Sequence, residues 1–496
     1  MFSKVLIANR GEIACRVIST CKRLGITTAA VYSDADEGAL HVQMADEAYR
    51  IGKAPASESY LRIDRIVSAA KRAKADAVHP GYGFLSENPR LPEALEKEGI
   101  KFIGPSADAI TQMGDKIAAR HLAQEANVPV VPGTEAEITD DQALDAAMTV
   151  GFPLLIKAAD GGGGMGIRLV EHEGELASAV ERARTQALGS FGSERVYIER
   201  QITQASHVEV QIIGDEFGNV IHLFDRDCSV QRRHQKVMEE SPCVKLTPKL
   251  RKAMTEAAVR LAKSVNYVNA GTLEFLVTPE GDFYFLEMNT RLQVEHPITE
   301  MITGLDLVEL QLIVASGEKL PITQADVKTK GHAIEARIYP EDPATLLPTA
   351  GTVSNLRAPT GENVRFDSAL YEGYEVSSYY EPMMAKLIVW AEDRPKAIEK
   401  MMKALKGFTL DGVVLNTPLV ASVLSSAAFA SAKYDTKFLE RLVSEPALSS
   451  TGNEFIASIA VALAINSDRA KYDQPSRWKL HGRRQLMVNR LSGGVV

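Results

Sequence analysis

A chain of 496 residues, 45% of them hydrophobic, has ample core for two to four domains. Its 56 basic and 64 acidic residues leave a net charge of −8, which gives no case for a nucleic-acid partner. No apolar run approaches the roughly 18 residues of a membrane span and no signal-peptide pattern opens the chain, so no membrane is expected and the expected location is cytoplasmic. Cys15, Cys21, Cys228 and Cys243 lack metal-type spacing and read as free thiols.

Lys4 to Ala8 predicts a strand, followed by Asn9-Arg10-Gly11-Glu12 and a helix that runs to about Leu24 and stops at Gly25. Thr27 to Tyr32, Ala77 to His79 and Lys101 to Ile103 predict further strands, with a helix near Ser59 to Lys71. This alternation predicts a parallel sheet covered on both faces. The loop His79 to Glu87 leaves a strand at its C-terminal end, where open α/β sheets bind ligands. Its glycines and aromatics serve a ligand or merely shape a turn, and the local sequence does not choose.

A helix from Lys116 to Ala126 leads through the Pro-rich stretch Val128 to Gly133, read as a hinge into a small domain. There Phe152 to Ala158 and Arg168 to Val170 predict strands flanking Asp160 and a run of glycines from Gly161 to Gly166, interrupted by Met165. The glycines match G-x-G-x-x-G, but a strand follows instead of a helix, and the Lys-Ser/Thr of a P-loop is missing. The turn is a flap of bare N–H groups suited to phosphates or a flexible hairpin. Lys157 on the preceding strand favours phosphate.

Val196 to Ile202 and His207 to Gln211 predict strands. The charge-dense run Asp225 to Lys236 reads as a solvated stretch when taken alone, and as an anion site from its place before the next hairpin. That hairpin, within Gly271 to Glu300, is the chemical centre of the sequence. With Glu280-Gly281 as its turn, Glu274 faces Glu287. Like charges directly opposite are destabilising unless something sits between them. Mg²⁺ or Mn²⁺ suits two carboxylates and an amide, and implies a nucleotide; an exposed polar sheet face is the alternative. If the chain stays extended, Glu287, Asn289, Arg291, Gln293 and Glu295 share one face.

Next come a helix from about Ile298 to Ser316 and a strand from Gly331 to Tyr339 with Glu335 and Arg337 on one face. Thr352 to about Val443 reads as a mostly stranded α+β region with a helix from Pro395 to Leu405. Ser444 to Gly452 reads as a linker and Asn453 to Asn466 as a buried helix. The segment 467–496, with seven Lys/Arg against two Asp, docks a partner or folds back on its own surface.

Five runs in this order carry a resemblance: Ile7 to Ala14, His79 to Glu87, the glycine flap, Asp227 to Lys236, and Glu287 to Glu300. Over roughly residues 1–445 the chain resembles the biotin carboxylases of the ATP-grasp superfamily. The implied fold is α/β and α+β multidomain. It comprises a Rossmann-like N-terminal domain (1–114), an ATP-grasp domain (115–333) with a mobile lid at about 132–203, a mixed C-terminal domain (334–445) and an extension (446–496).

The resemblance implies that Lys116 and Lys157 contact ATP and that Gly163 and Gly164 supply flap amides to its phosphates. Glu199, Arg200, Gln201, Ile202 and His207 would line the nucleotide pocket, with His234 approaching it. Glu274, Glu287 and Asn289 match metal ligands for Mg²⁺ or Mn²⁺, two ions in all. Lys236, Arg291, Gln293 and Val294 match a bicarbonate site, Glu295 the base and Arg337 the group that stabilises the biotin enolate, with Tyr82 also on the substrate side. Met165 stands where many relatives have Lys or Arg, and Glu381 where Asp is usual.

The implied reaction is ATP-dependent carboxylation of biotin by bicarbonate through carboxyphosphate. Biotin would ride on a separate biotin carboxyl carrier protein. The nearest look-alike of an attachment site here, Met401-Met402-Lys403-Ala404, falls in a helical pattern with Ile398, Met402 and Leu405 on its core side. The other implied partners are a second copy of the chain and a carboxyltransferase subunit, with the final acceptor open among acyl-CoA, pyruvate and other 2-oxo acids. One rival is another ATP-grasp ligase working through an acyl phosphate; Arg337 and the Gln231 to Lys236 run weigh against it. A non-catalytic nucleotide-binding regulatory subunit is the other, and a sensor needs no base such as Glu295.

Overall fold

The computed structural model describes residues 1–160, 166–343 and 345–444. Gly163, Gly164 and Met165 of the flap, and the expected linker, buried helix and basic segment after 445, lie outside the described residues. The described residues through Leu442 form one unit.

Five parallel strands open the chain: β1 (Lys4–Ile7), β2 (Thr27–Ser33), β3 (Glu47–Gly52), β4 (Ala77–His79) and β5 (Lys101–Phe102), in the order β3-β2-β1-β4-β5. Alternation along β1 fills two cores. Val5 and Ile7 pack with Ile13, Val17 and Ile18 of the helix Gly11–Arg23. Leu6 packs with Ile66 and Ala70 of the helix Ile63–Ala73 on the other face. The expected sheet covered on both faces is present, and β3 is an additional edge strand.

A small antiparallel sheet follows, β6 (Leu154–Ala158), β7 (Arg168–Val170) and β8 (Val196–Arg200), in the order β7-β6-β8. With the helices Ala143–Val150 and Leu176–Phe191 it encloses its own core of Leu154, Ile156, Val170, Val180 and Ile198.

The largest element is an eight-stranded sheet, antiparallel at every pairing. Its strands in chain order are β9 (Ser206–Gly214), β10 (Val220–Arg232), β11 (Gln235–Ser241), β12 (Asn269–Val277), β13 (Phe283–Asn289) and β14 (His332–Ile338). After β15 (Asn355–Arg357), which pairs elsewhere, come β16 (Val364–Ser368) and β17 (Ala385–Ala391). The spatial order is β13-β12-β9-β10-β11-β14-β17-β16. Hydrogen bonding therefore runs unbroken from the acidic hairpin into the C-terminal region.

Several expectations are corrected. The charge-dense run is solvated only at the β10–β11 turn, where Arg233, His234 and Gln235 are exposed; Asp225, Arg226 and Asp227 in β10 are each at most 1% exposed. The single helix expected over 298–316 is two, His296–Thr303 and Leu307–Ala315, broken at Gly304, whose φ of +74° ends the first. The region after 352 is less stranded than expected and carries the helices Arg394–Gly407, Thr417–Ser425 and Phe438–Ser444. Met401 and Lys403 are helical as expected, but the buried side is Arg394, Ala397, Met401 and Ala404, one position round from the expected face.

Candidate active site

Glu274 does face Glu287 across β12 and β13, although the turn differs from expectation. The loop closes between Thr278 and Asp282, one residue longer than the expected two-residue turn. A bulge between Phe285 and Glu287 restores the register. On its other side Glu274 pairs with Glu209 of β9, and Glu209 pairs with Arg226 of β10. Three carboxylates and one guanidinium thus cross four strands in a row.

The row is unevenly neutralised. Arg226, fully buried, holds Glu209 and also donates to Gln211 (2.8 Å), Thr272 (3.2 Å) and Thr299 (2.9 Å). Lys236 Nζ lies 2.6 Å from Glu209 and 2.9 Å from Glu274, and His207 Nε2 is 3.0 Å from Glu274. Burial works against the charge on Glu274, but Lys236 and His207 hold its carboxyl well below the usual range. Burial also lowers the His207 imidazole, and Glu274 more than reverses this. Glu287, on the edge strand, makes no ion pair among the described residues. Burial and then Glu274 push its carboxyl up, with Lys116 only partly offsetting them.

A row of carboxylates whose last member makes no ion pair among the described residues fits a divalent cation at Glu287 and Glu274. Asn289 donates its amide nitrogen to Glu274 (3.0 Å), and its oxygen accepts from Arg291 (2.8 Å).

The extended run expected through Glu295 is corrected: β13 ends at Asn289, and Glu295 stands at the N-cap position of the helix His296–Thr303 with its side chain turned to other partners. The side chains still converge, because Lys236 reaches Glu295 at 2.6 Å and Arg337 Nη2 reaches it at 2.9 Å. Burial opposes ionisation of Glu295, yet Lys236 and Arg337 hold it well below the usual range. A second bulge, at Val237, is decisive here. It puts Lys236 and Glu239 of β11 on the same face despite their spacing of three. Glu239 accepts from Arg337 Nε at 2.6 Å.

Arg291 is held by Glu87 (2.9 Å), so the His79 to Glu87 loop ties down this guanidinium. Gln293 donates to Glu274 (3.1 Å) and accepts from Arg291 (3.2 Å), and the Val294 carbonyl accepts from Lys386 (2.9 Å). Tyr82 donates to Glu12, which itself lies 3.0 Å from Lys386. Glu381 is exposed.

On the nucleotide side, Glu199 is bound by Arg120 (2.5 Å) and by Lys157, so Lys157 already has a partner. Burial lowers the Lys116 ammonium. The Arg200 guanidinium turns away to the Val150 carbonyl (2.9 Å), and the Gln201 N–H to Pro153 (3.1 Å); Ile202 is partly buried. His234 sits exposed at the β10–β11 turn with φ +66°. Asp160, at the flap's start, lies 3.7 Å from Arg195.

Sequence reasoning missed Glu209, Arg226 and Glu239. The alternation His207, Glu209, Gln211 was a signal for the first; the bulges hid the others.

The buried carboxylate row on the central sheet, with the small separate sheet, is an arrangement that the chain's relatives identify as an ATP-binding ligase of the ATP-grasp class. The family model for the carbamoyl-phosphate synthase L chain ATP-binding domain matches residues 115–323. Models for the biotin carboxylase N-terminal and C-terminal domains match 1–110 and 335–441. One of the pyruvate carboxylase subunits of Methanothermobacter thermautotrophicus is 52% identical over 442 residues, 89% of this chain and 90% of that protein. Biotin carboxylase 2 of Bacillus subtilis is 50% identical over 442 residues, 89% of this chain and all of that one. The biotin carboxylase domain dimer of Hydrogenobacter thermophilus 2-oxoglutarate carboxylase, solved with MgADP, ADP and bicarbonate, superposes with a TM-score of 0.87 at 44% identity, covering 90% of this chain and 99% of that one. The chain belongs to the biotin carboxylase family. It is a ligase that carboxylates biotin with ATP and bicarbonate.

Proposed function

We propose that the two ends of this carboxylate row divide the reaction. Glu274 and Glu287, with Asn289, hold magnesium or manganese, two ions at full occupancy, and Lys116, Lys157, Glu199 to Ile202, His207 and His234 surround the nucleotide. Gly163 and Gly164 complete that pocket in this reading. The metal, when bound, offsets negative charge on the ATP phosphates. Lys236, Arg291, Gln293 and Val294 receive bicarbonate, and Glu295 takes its proton. A carboxylate held as low as Glu295 accepts a proton only when its cations are drawn elsewhere. Bicarbonate bound to Lys236 draws that cation off Glu295. The bicarbonate oxygen then attacks the γ-phosphorus, ADP leaves, and carboxyphosphate forms. Carboxyphosphate breaks down to CO₂ and phosphate, the phosphate takes the N1′ proton of biotin, and N1′ attacks the CO₂ while Arg337 stabilises the enolate oxygen, with Tyr82 beside the same substrate.

The observation that carries this reading is Lys236, which bridges Glu274 at 2.9 Å and Glu295 at 2.6 Å and so couples the two ends. Division at 1–114, 115–333 (lid 132–203), 334–445 and 446–496 belongs to the same reading, supported by the lid's own core. The reading also includes a homodimer, a biotin carboxyl carrier protein and a carboxyltransferase subunit, together with a cytoplasmic location. Among the described residues no helix is long and apolar enough to cross a membrane. The relatives act in carboxylases named for different acceptors, so the final acceptor is an acyl-CoA or a 2-oxo acid.

The test is bicarbonate-dependent ADP release with free biotin, comparing wild type with Arg337→Ala. Carboxybiotin from wild type alone is the expected result. ATP turnover that ignores bicarbonate would instead support an acyl-phosphate ligase, and tight ATP binding without turnover a regulatory subunit.

A further inference from the structure

Glu239 and Glu335 stand directly opposite each other on β11 and β14, so their side chains share one face. Glu239 is 1% exposed and Glu335 is fully buried. Glu239 gives one oxygen to Arg337, while its Oε2 and both oxygens of Glu335 have no hydrogen-bond partner. Buried carboxylates are normally paired or hydrogen-bonded, so three unpartnered oxygens in one place call for a donor.

Among the described residues, no cation on the surrounding elements is free to supply it. Arg337 on β14 serves Glu239 and Glu295. Lys236 on β11 serves Glu209, Glu274 and Glu295. Lys386 on β17 is bound to Glu12 and the Val294 carbonyl, with Asp367 of β16 at 4.0 Å. His296, at the head of the helix over this face, is kept neutral by burial and then by Lys386 and Arg16. Tyr339 keeps its phenol proton because burial raises it, but its hydroxyl too has no hydrogen-bond partner and so reaches neither carboxyl.

We propose that Glu239 and Glu335 hold a single proton between their carboxyl groups, and that this acid–carboxylate pair positions the Arg337 guanidinium. Neutral Glu335 donates to the open oxygen of Glu239, which leaves the charge of Glu239 on Arg337 Nε. Burial pushes Glu335 well above the usual carboxylate range and Glu239 up to about 7. Loss of the shared proton sets two anions face to face and loosens the alignment of Arg337. Glu335 and Glu239 are positioning residues for the biotin half of the reaction. The functional consequence rests on the role proposed above for Arg337; the shared proton does not.

The test is infrared spectroscopy of the full chain, without nucleotide or biotin, at neutral and alkaline pH. Wild type should show a protonated-carboxyl C=O band that Glu335→Gln lacks and that fades as pH rises. Glu335→Met, of similar volume, is the second variant and should lack it too. The alkaline limb of biotin carboxylation should rise by about one pH unit or more in Glu335→Gln, because the amide still donates but no longer titrates. A band unchanged in both variants, or an alkaline limb identical to wild type, overturns the proposal. If the band behaves as expected but no carboxybiotin forms, the functional reading fails and the shared proton stands.

Discussion

Glu287 and Glu295 lie at the two ends of one buried charged cluster, and their surroundings push their carboxyl groups in opposite directions. Burial and Glu274 raise Glu287, which has no ion-pair partner among the described residues. Glu295 is fully buried, yet Lys236 and Arg337, 2.6 Å and 2.9 Å away, lower it. One end is short of positive charge among the described residues and fits an incoming cation. At the other end the cations and carboxylates neutralise each other, and an incoming anion must compete for them. Lys236 is the hinge of the contrast because it contacts members of both ends.

Arg226 offers the largest way to disturb this balance. Arg226→Ala leaves Glu209 buried with only Lys236, and should lower unfolding free energy by about 3–5 kcal/mol, read from urea midpoints. Lys236 would then be drawn toward Glu209 and away from Glu295, so turnover should fall as well; full stability with normal turnover would remove Arg226 from the account.

Next in size is Arg337→Ala, expected to cut carboxybiotin formation by about 10²–10³-fold, the loss typical of one preorganised charge donor. Bicarbonate-dependent ADP release should fall by less than carboxybiotin formation. Equal losses in the two assays would mean that Arg337 serves the first step as much as the second.

Glu287→Gln should behave in the opposite sense when no metal is present. Removing one of two like charges set directly opposite should raise stability by up to about 1 kcal/mol. The variant should also lose the rise in Tm that Mg²⁺ with ADP gives wild type. A full Mg²⁺-dependent rise in the variant would move the cation away from Glu287.

The pH dependence sharpens the same contrast. The raised carboxyls, Glu287 and Glu335, contribute stability below the unfolded carboxylate pKa of about 4.3, and that contribution is lost as pH rises through their folded values. The depressed Glu295 contributes above the unfolded value and loses its contribution as pH falls through the folded one. Melting curves without metal should therefore decline less steeply toward alkaline pH in Glu287→Gln than in wild type. A parallel decline would contradict the assignment.

The sequence reveals the hairpin, the two opposed carboxylates and the parallel N-terminal sheet because each depends on local alternation. Val5, Ile7 and Leu6 sort into cores by period two, as does the polar series His207, Glu209, Gln211. The same rule failed where strands bulge. At Leu286 the extra residue offsets the longer turn, so Glu274 meets Glu287 by compensation. At Val237 it brings Lys236 and Glu239 to one face, which simple alternation forbids. Charge density misled for another reason: Asp225, Arg226 and Asp227 read as solvated until their partners arrive from β9, β12 and the segments after β11. Only tertiary pairing makes such a run stable when buried. Glu295 reaches its cations from a helix cap, a route that spacing along one strand does not reveal.

Equilibrium unfolding of wild type, Glu287→Gln and Glu295→Gln at neutral pH without metal or nucleotide tests the asymmetry most directly. The account predicts opposite signs. Glu287→Gln should match or exceed wild type, while Glu295→Gln should lose about 1.5–3 kcal/mol because Lys236 and Arg337 each lose a charged hydrogen-bond partner. If the two variants are destabilised alike, the two ends are not neutralised differently and the division of the site fails.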